Sequence, residues 1–241
     1  MTNISVFDDP EQLAHAAAAK FVEHARETGD RFCVSLAGGN TPRRVYELLA
    51  TELFSRQINW TKVHLFFGDE RAVPPDHTDS NYAMVAEALI PKVAIPPANV
   101  HRIPAERGAK ESATAYEEHL REFFAGQTWP RFDLVLLGMG EDGHTASLFP
   151  GSNALEETSR WVVATRNVQT GADRITLTLP VFNEANHVMF LVVGEKKAQR
   201  LKEALRPTPG ADLLPAQAIK PTHGTLEWLV DAAAASLLPQ S

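Results

Sequence analysis

Phe32-Cys33-Val34-Ser35-Leu36-Ala37-Gly38-Gly39-Asn40-Thr41-Pro42 decides the fold class. Phe32–Leu36 is a short apolar run, the signature of a strand buried inside a sheet. It passes through paired glycines into Pro42, and proline at a first helical turn fits a helix over 42–50. The same grammar recurs twice. The apolar run Val63–Phe67 ends in Gly68-Asp69-Glu70-Arg71, followed by the loop Val73-Pro74-Pro75. The run over 132–137 ends in Gly138-Met139-Gly140-Glu141-Asp142-Gly143-His144. Further strands are expected over 161–165, 174–177 and 187–193. A first helix spans 10–28, with Leu13, Ala17, Phe21 and Ala25 at helical spacing and Gly29 as its stop. Other helices are expected over 79–90, 109–125, 195–205 and 224–235, the last ending in the Ala232 to Ala235 run. Residues 207–221 read as a loop. Apolar strands alternating with amphipathic helices give an α/β fold, with a mostly parallel sheet and helices on both faces. No repeat or linker divides the chain, so one domain over 1–241 is the expectation.

Composition narrows the function classes. The 241 residues are 44% hydrophobic and 22% charged, ordinary for a protein with a packed core. The net charge of −7 comes without any basic run, which argues against a nucleic-acid partner. It does not exclude an anionic small molecule, because a ligand feels the local field of its cleft. The single cysteine, Cys33, excludes a disulfide within the chain and fits a reducing, cytoplasmic compartment. It reads as a small buried strand residue. No signal segment is expected at Met1-Thr2-Asn3-Ile4, and no apolar stretch approaches the ~18 residues that a membrane span needs.

In open α/β sheets ligands sit beyond the carboxyl ends of the strands, so the loops at 37–42, 68–71 and 138–145 are candidates for one shared cleft. Gly38 and Gly39 let backbone N–H groups approach an anion, with a helix N-terminus behind them and the Thr41 hydroxyl beside them. The loop lacks the Gly-Lys-Ser/Thr element of a nucleotide-phosphate loop. Arg71 is suited to bidentate phosphate contact. Gly138, Gly140 and Gly143 satisfy the dinucleotide spacing, but Pro150 and Gly151 interrupt any crossover helix. The strand over 161–165 ends in Thr165-Arg166-Asn167, without an acidic ribose ligand. Neither a nicotinamide cofactor nor a metal is expected, since His64, Asp69, Glu70 and His77 follow no recognised ligand spacing. His144, in a glycine-flanked strand-end loop, suits proton transfer near neutral pH, with Asp142 to orient its ring. His15, His24 and His119 are expected on solvated helix faces. His77 is a possible lining residue.

Together these loops resemble the 6-phosphogluconolactonase family. Leu36 to Pro42 matches its first signature. Phe67 to Pro74, with His77 and Ser80-Asn81-Tyr82, matches its second, and Leu137 to Gly151 its third. Arg174-Ile175-Thr176-Leu177-Thr178 and Gly194-Glu195-Lys196-Lys197-Ala198 look like later elements, so the resemblance runs from about residue 5 to residue 231. It implies a modified Rossmann-like sheet shared with glucosamine-6-phosphate deaminases. It also implies hydrolysis of 6-phosphogluconolactone in the oxidative pentose phosphate pathway, without a cofactor. His144 matches the proposed general base. Gly38, Gly39, Asn40, Thr41, Asp69, Arg71, Gly143 and Arg174 are the substrate-binding candidates implied. The partner expected is a sugar-phosphate lactone, with no membrane or nucleic acid; the sequence leaves the oligomeric state open, with a monomer plausible. One departure stands out. Many relatives carry a Pro-Lys-Pro-like stretch before the Arg-Ile-Thr element, where this chain has Asn167-Val168-Gln169-Thr170-Gly171-Ala172. Arg166 or Gln169 is the replacement to look for.

Two other readings bear on the same residues. A deaminase of the sibling family needs Asp69 as a base and resembles Asp-Glu-Tyr where this chain has Asp69-Glu70-Arg71. Such enzymes also carry a glutamate that Thr145 to Gly151 lacks. A non-catalytic sugar-phosphate sensor needs no histidine base.

Overall fold

The computed structural model describes residues 3–206 and 212–239. In chain order the elements are β1 (Asn3–Phe7), α1 (Pro10–Glu27), β2 (Phe32–Leu36), α2 (Asn40–Leu49), α3 (Glu52–Ser55), β3 (Val63–Phe67), β4 (Asp69–Arg71), α4 (Asn81–Ala88), β5 (Val100–His101), α5 (Ala109–Phe123), β6 (Leu134–Gly138), β7 (Val162–Arg166), β8 (Asp173–Leu177), α6 (Leu179–Asn183), β9 (His187–Val192), α7 (Ala198–Leu205), α8 (Pro215–Ala218) and β10 (Thr225–Asp231). Seven strands form a parallel sheet in the order β1-β10-β9-β6-β2-β3-β5. From β2 the chain first adds β3 and β5 on one side, then crosses to add β6, β9 and β10 on the other. Strand order therefore reverses between β2 and β6, and a crevice opens where the loops after those two strands diverge.

The elements follow from local chemistry. Asp9 caps α1 by accepting from the Gln12 amide at 2.8 Å, and Pro10 opens the helix. Leu13, Ala14, Ala17, Ala18, Phe21 and Val22 form its buried stripe. Every residue of β2 is buried, as a central parallel strand requires. Cys33 lies within it as expected, and burial pushes its thiol up to about 12. Two buried tyrosines close the ends of adjacent strands. The Tyr46 hydroxyl accepts from the Ala37 amide at 3.0 Å and donates to the Ala37 carbonyl at 2.8 Å. Tyr116 does the same for Phe67, at 3.1 and 3.3 Å.

The expected parallel α/β arrangement holds for the large sheet. Two of the expected strands lie elsewhere: β7 and β8 join β4 in a separate antiparallel sheet of order β4-β8-β7. Residues 69–71, expected as loop, are its edge strand. The helix expected over 224–235 is wrong. Residues 225–231 are β10, inserted between β1 and β9, and a turn follows. The alanine run favours helix locally, but Trp228, Leu229 and Val230 are buried in the sheet, and tertiary packing overrides propensity. Of the loop expected over 207–221, residues 207–211 lie outside the described residues, and 215–218 form α8. Among the described residues no helix is long and apolar enough to cross a membrane.

Two histidines also differ from expectation. His24 is half-buried and stacks on His187 at 4.2 Å. His119 belongs to a row: His64 Nδ1 meets His101 Nε2 at 3.0 Å, and His101 Nδ1 meets His119 Nε2 at 2.8 Å. Burial, reinforced by His119 and His64, lowers His101 to about 3 from the ordinary 6.5. A base depressed in the folded state is protonated first in the unfolded chain. This contribution to stability is therefore complete above about pH 6.5 and is lost as the pH falls toward 3. Chemical denaturation between pH 7 and pH 4 should show stability falling by up to about 1.4 kcal/mol per pH unit for each such proton. The slope should be shallower in His101→Phe.

Candidate active site

The loop after β6 is wound tightly around His144. The Gly140 amide donates to the His144 carbonyl at 2.8 Å, and Gly143 donates back to the Gly140 carbonyl at 3.1 Å. Asp142 Oδ1 accepts from the His144 amide at 3.0 Å and lies 2.6 Å from ring Nδ1. Burial pushes the Asp142 carboxyl upward, but the His144 amide and ring outweigh it and hold it below the usual carboxylate range. The contact engages Nδ1 and leaves Nε2 without a partner among the described residues. Asp142 makes this ring contact, whereas the Asp69 carboxylate is bound by Ser147 and Asn81. Phe149 packs beside it, with ring centroids 5.0 Å apart. Downstream, Thr145 Oγ1 donates to the Gly138 carbonyl at 2.8 Å. Ala146 then takes a left-handed φ of 48°, which costs an L-residue roughly 1–2 kcal/mol.

The loop after β2 places Gly39 at the N-cap of α2, with no side-chain cap and no acidic residue in the first turn. Asn40 is exposed and Thr41 half-buried, and neither side chain hydrogen-bonds another described residue. The positive end of α2 is thus open to an anion.

The third contribution comes from the small sheet. Arg71 on β4 and Arg174 on β8 are direct cross-strand partners. Arg71 donates to the Asp79 carbonyl at 2.5 Å, and Arg174 is held by the Asp173 carbonyl at 3.5 Å. Among the described residues neither guanidinium forms an ion pair with a carboxylate. Burial and then the Arg71 charge lower Arg174, against the pull of Asp69, Asp79 and Glu70. Two adjacent cations held by carbonyls alone leave charge for an external anion.

The neighbouring carboxylates are already occupied. Glu70 is buried and accepts from the amides of Arg71, Asn81 and Tyr82 and from the Ser80 hydroxyl. It is a cap for α4, not the solvated turn residue that its sequence context resembles. Asp69 is buried, with Ser147 Oγ on one oxygen at 2.6 Å and Asn81 Nδ2 on the other at 3.2 Å. His77 is exposed and accepts from the Asp79 amide. His64 lies in the histidine row. Among the described residues no group of three or more His, Cys, Asp and Glu side chains is placed to hold a metal.

Gly143 packs against Leu214 and accepts from the Ala216 amide at 3.1 Å. A cavity of about 600 Å³ flanks this loop, lined by Asp142, Phe149, Val168, Gln169, Arg200 and Leu214 among others. Its lining does not include the glycine loop or the arginine pair. Gln169 therefore reaches the Asp142 side of the site, whereas Arg166 is exposed, 3.9 Å from Asp173. Sequence reasoning assigned no role to Lys197, which is half-buried and lowered by burial against the attraction of Glu141 and Asp142. Its loop is held by Asp231 at the end of β10, which accepts from the Gly194 amide at 2.9 Å. The Gly-x-x-Lys spacing after β9 was the available signal.

Gly140 has no room for a side chain: a Cβ there would overlap the His144 ring and lie 2.7 Å from Asp142 Oδ1. Gly140→Ala should therefore remain folded by circular dichroism but misplace the imidazole, lowering any His144-dependent turnover about 10²-fold.

Comparison with known proteins gives the same assignment over nearly the whole length. The family described as glucosamine-6-phosphate isomerases/6-phosphogluconolactonase matches residues 8–228. A 6-phosphogluconolactonase from Nostoc sp. is 42% identical over 211 residues, covering 86% of this chain and 85% of that protein. The crystal structure of the devB protein superposes with a TM-score of 0.93 at 31% identity, covering 99% of this chain and 100% of that one. The 6-phosphogluconolactonase from Trypanosoma brucei superposes with a TM-score of 0.89 at 31% identity, covering 99% of each chain. The chain belongs to the glucosamine-6-phosphate isomerase/6-phosphogluconolactonase family.

Proposed function

We propose that the protein hydrolyses 6-phospho-D-glucono-1,5-lactone to 6-phosphogluconate, the second step of the oxidative pentose phosphate pathway, with His144 as general base. The observation that carries this reading is the Asp142–His144 contact, which engages ring Nδ1 and leaves Nε2 without a partner among the described residues; the cross-strand guanidinium pair Arg71 and Arg174 supplies the candidate phosphate ligands. The substrate phosphate binds Arg71 and Arg174 with the Gly38-Gly39-Asn40-Thr41 loop. His144 Nε2 removes a proton from water as the water oxygen bonds to the lactone carbonyl carbon. The carbonyl oxygen becomes an oxyanion, held by a backbone N–H or a guanidinium. Collapse of the tetrahedral intermediate re-forms the carbonyl and breaks the bond to the ring oxygen, which takes the proton back from the imidazolium. Asp142 keeps the ring in one tautomer and compensates its transient charge. No step requires a cofactor.

The deaminase reading needs Asp69 free to abstract a carbon-bound proton. Its oxygens are instead bound by Ser147 and Asn81 in a buried setting, which favours hydrolysis. The deciding experiment is a proton-release assay on freshly made 6-phosphogluconolactone, corrected for spontaneous hydrolysis, beside a deamination assay with glucosamine 6-phosphate. Binding without turnover would leave a sensor.

His144→Asn keeps a polar side chain without a base. It should lower kcat by about 10²- to 10⁴-fold with little change in KM, and abolish the acid limb of the pH–rate profile. A folded variant retaining more than about a third of wild-type kcat would refute the base assignment. Arg71→Ala should raise KM for the phosphorylated lactone by roughly 10- to 150-fold, the value of a charge-assisted contact. The unphosphorylated lactone should be affected far less; equal losses would move Arg71 from the phosphate to the carbonyl.

A further inference from the structure

The three loops of the site are joined from behind by one buried polar chain that the reaction scheme leaves unused. Ser147, three residues after His144, donates to Asp69 Oδ2 at 2.6 Å. Asn81 Nδ2 donates both to Asp69 Oδ1 at 3.2 Å and to the Asp69 carbonyl at 2.9 Å. The Asn81 amide then lies directly against Gly38, filling the space that a Cβ there would need. Ser147, Asp69 and Asn81 are 1%, 8% and 3% exposed, so water competes little for these bonds. Asp69 is two residues before Arg71, and its cross-strand partner Thr176 is two residues after Arg174. Thr176 Oγ1 also accepts from the Ser147 amide at 3.4 Å. The chain between His144 and Ser147 contains the left-handed Ala146, a conformation that persists only if something holds both ends.

We infer that Ser147, Asp69 and Asn81 form a clamp that sets the distance between the His144 base and the phosphate-binding arginines, with Asp69 as a positioning residue and not a substrate ligand. The inference rests on the lactonase reading. A substrate anchored by its phosphate presents its carbonyl at a fixed distance, and a displacement of about 1 Å at the base costs about 10²-fold. A lactone without phosphate has no such second anchor and is far less sensitive to the spacing.

The test compares Ser147→Ala, Asp69→Ala and Asp69→Asn with wild type, on fresh 6-phosphogluconolactone and on unphosphorylated glucono-1,5-lactone, across pH, with thermal melts. For the phosphorylated substrate, kcat should fall about 10- to 100-fold in both alanine variants. For the unphosphorylated lactone the loss should stay below about threefold, and the acid limb of the pH profile should persist in all variants. Asp69→Asn should recover most of the loss, to within about fivefold of wild type. Its amide can donate to Ser147 Oγ while its carbonyl oxygen accepts from Asn81. Three outcomes overturn the clamp: Asp69→Asn as damaged as Asp69→Ala with the acid limb gone, equal losses on both lactones, or lowered melting temperatures with unchanged kinetics. In each of these the wild type is active. A wild type that hydrolyses neither lactone overturns the lactonase reading itself, and the clamp with it.

Discussion

Parallel strands that end at one edge leave their last peptide groups without ladder partners, and in a buried sheet water cannot supply them. In this protein that demand is met by side chains. Tyr46 completes the hydrogen bonding of Ala37 at the end of β2, and Tyr116 that of Phe67 at the end of β3. Thr145 binds the carbonyl of Gly138 at the end of β6, and Asp231, at the end of β10, holds the Gly194 amide. Each bond fixes the point at which a loop departs. The loops can then be polar, glycine-rich and strained without being loose, because their roots are fully satisfied inside the core. A free tyrosine-to-phenylalanine exchange at either root would leave a buried amide and a buried carbonyl unpaired, at about 1–3 kcal/mol each.

Charge at the rim is arranged by the same logic. The chain carries −7 overall, yet Asp142, Glu70 and Asp69 each accept short hydrogen bonds from local partners. Asp142 is bound to His144, Glu70 to the N-terminus of α4, and Asp69 to Ser147 and Asn81. Among the described residues Arg71 and Arg174 make only carbonyl contacts, and α2 opens with no acidic residue. Two cations without a carboxylate partner among the described residues then remain available to a small anion on an acidic chain. Satisfying the carboxylates first is what leaves the cations unspent.

Much of this was legible in the sequence, and the misses have physical causes. The central strands β2 and β3 were found because strands buried on both faces read as largely apolar runs, here interrupted only by Ser35 and His64. The pairing of Asp142 with His144 in the loop after β6 was expected because the two stand two residues apart at a strand end. Edge strand β1 was missed: its alternation rests on two apolar side chains, Ile4 and Val6, both exposed, too short a pattern to mark a strand. β10 was misread because alanines that prefer helix abut a segment whose strand state depends on neighbours far away in sequence. The pairing of Arg71 with Arg174 crosses about a hundred residues and exists only through β4–β8 register. No local pattern encodes such a contact.

Asp69 and Asp142 illustrate how one residue type is given two roles by its surroundings. Both follow apolar strands, and both could in principle take a proton. Asp142 is only partly buried and its partner is the His144 ring, which in the proposed hydrolysis takes and returns a proton. Asp69 is sealed behind the loops with hydroxyl and amide donors that do not titrate. A carboxylate whose bonds are fixed can transmit position but is poorly placed to exchange protons with a ligand. Abstraction of a carbon-bound proton on this fold would require releasing that carboxylate toward the cleft, by removing the hydroxyl at position 147 or turning the Asn81 amide away. On the proposed hydrolytic reading, Asp142 serves the histidine while Asp69 is held still.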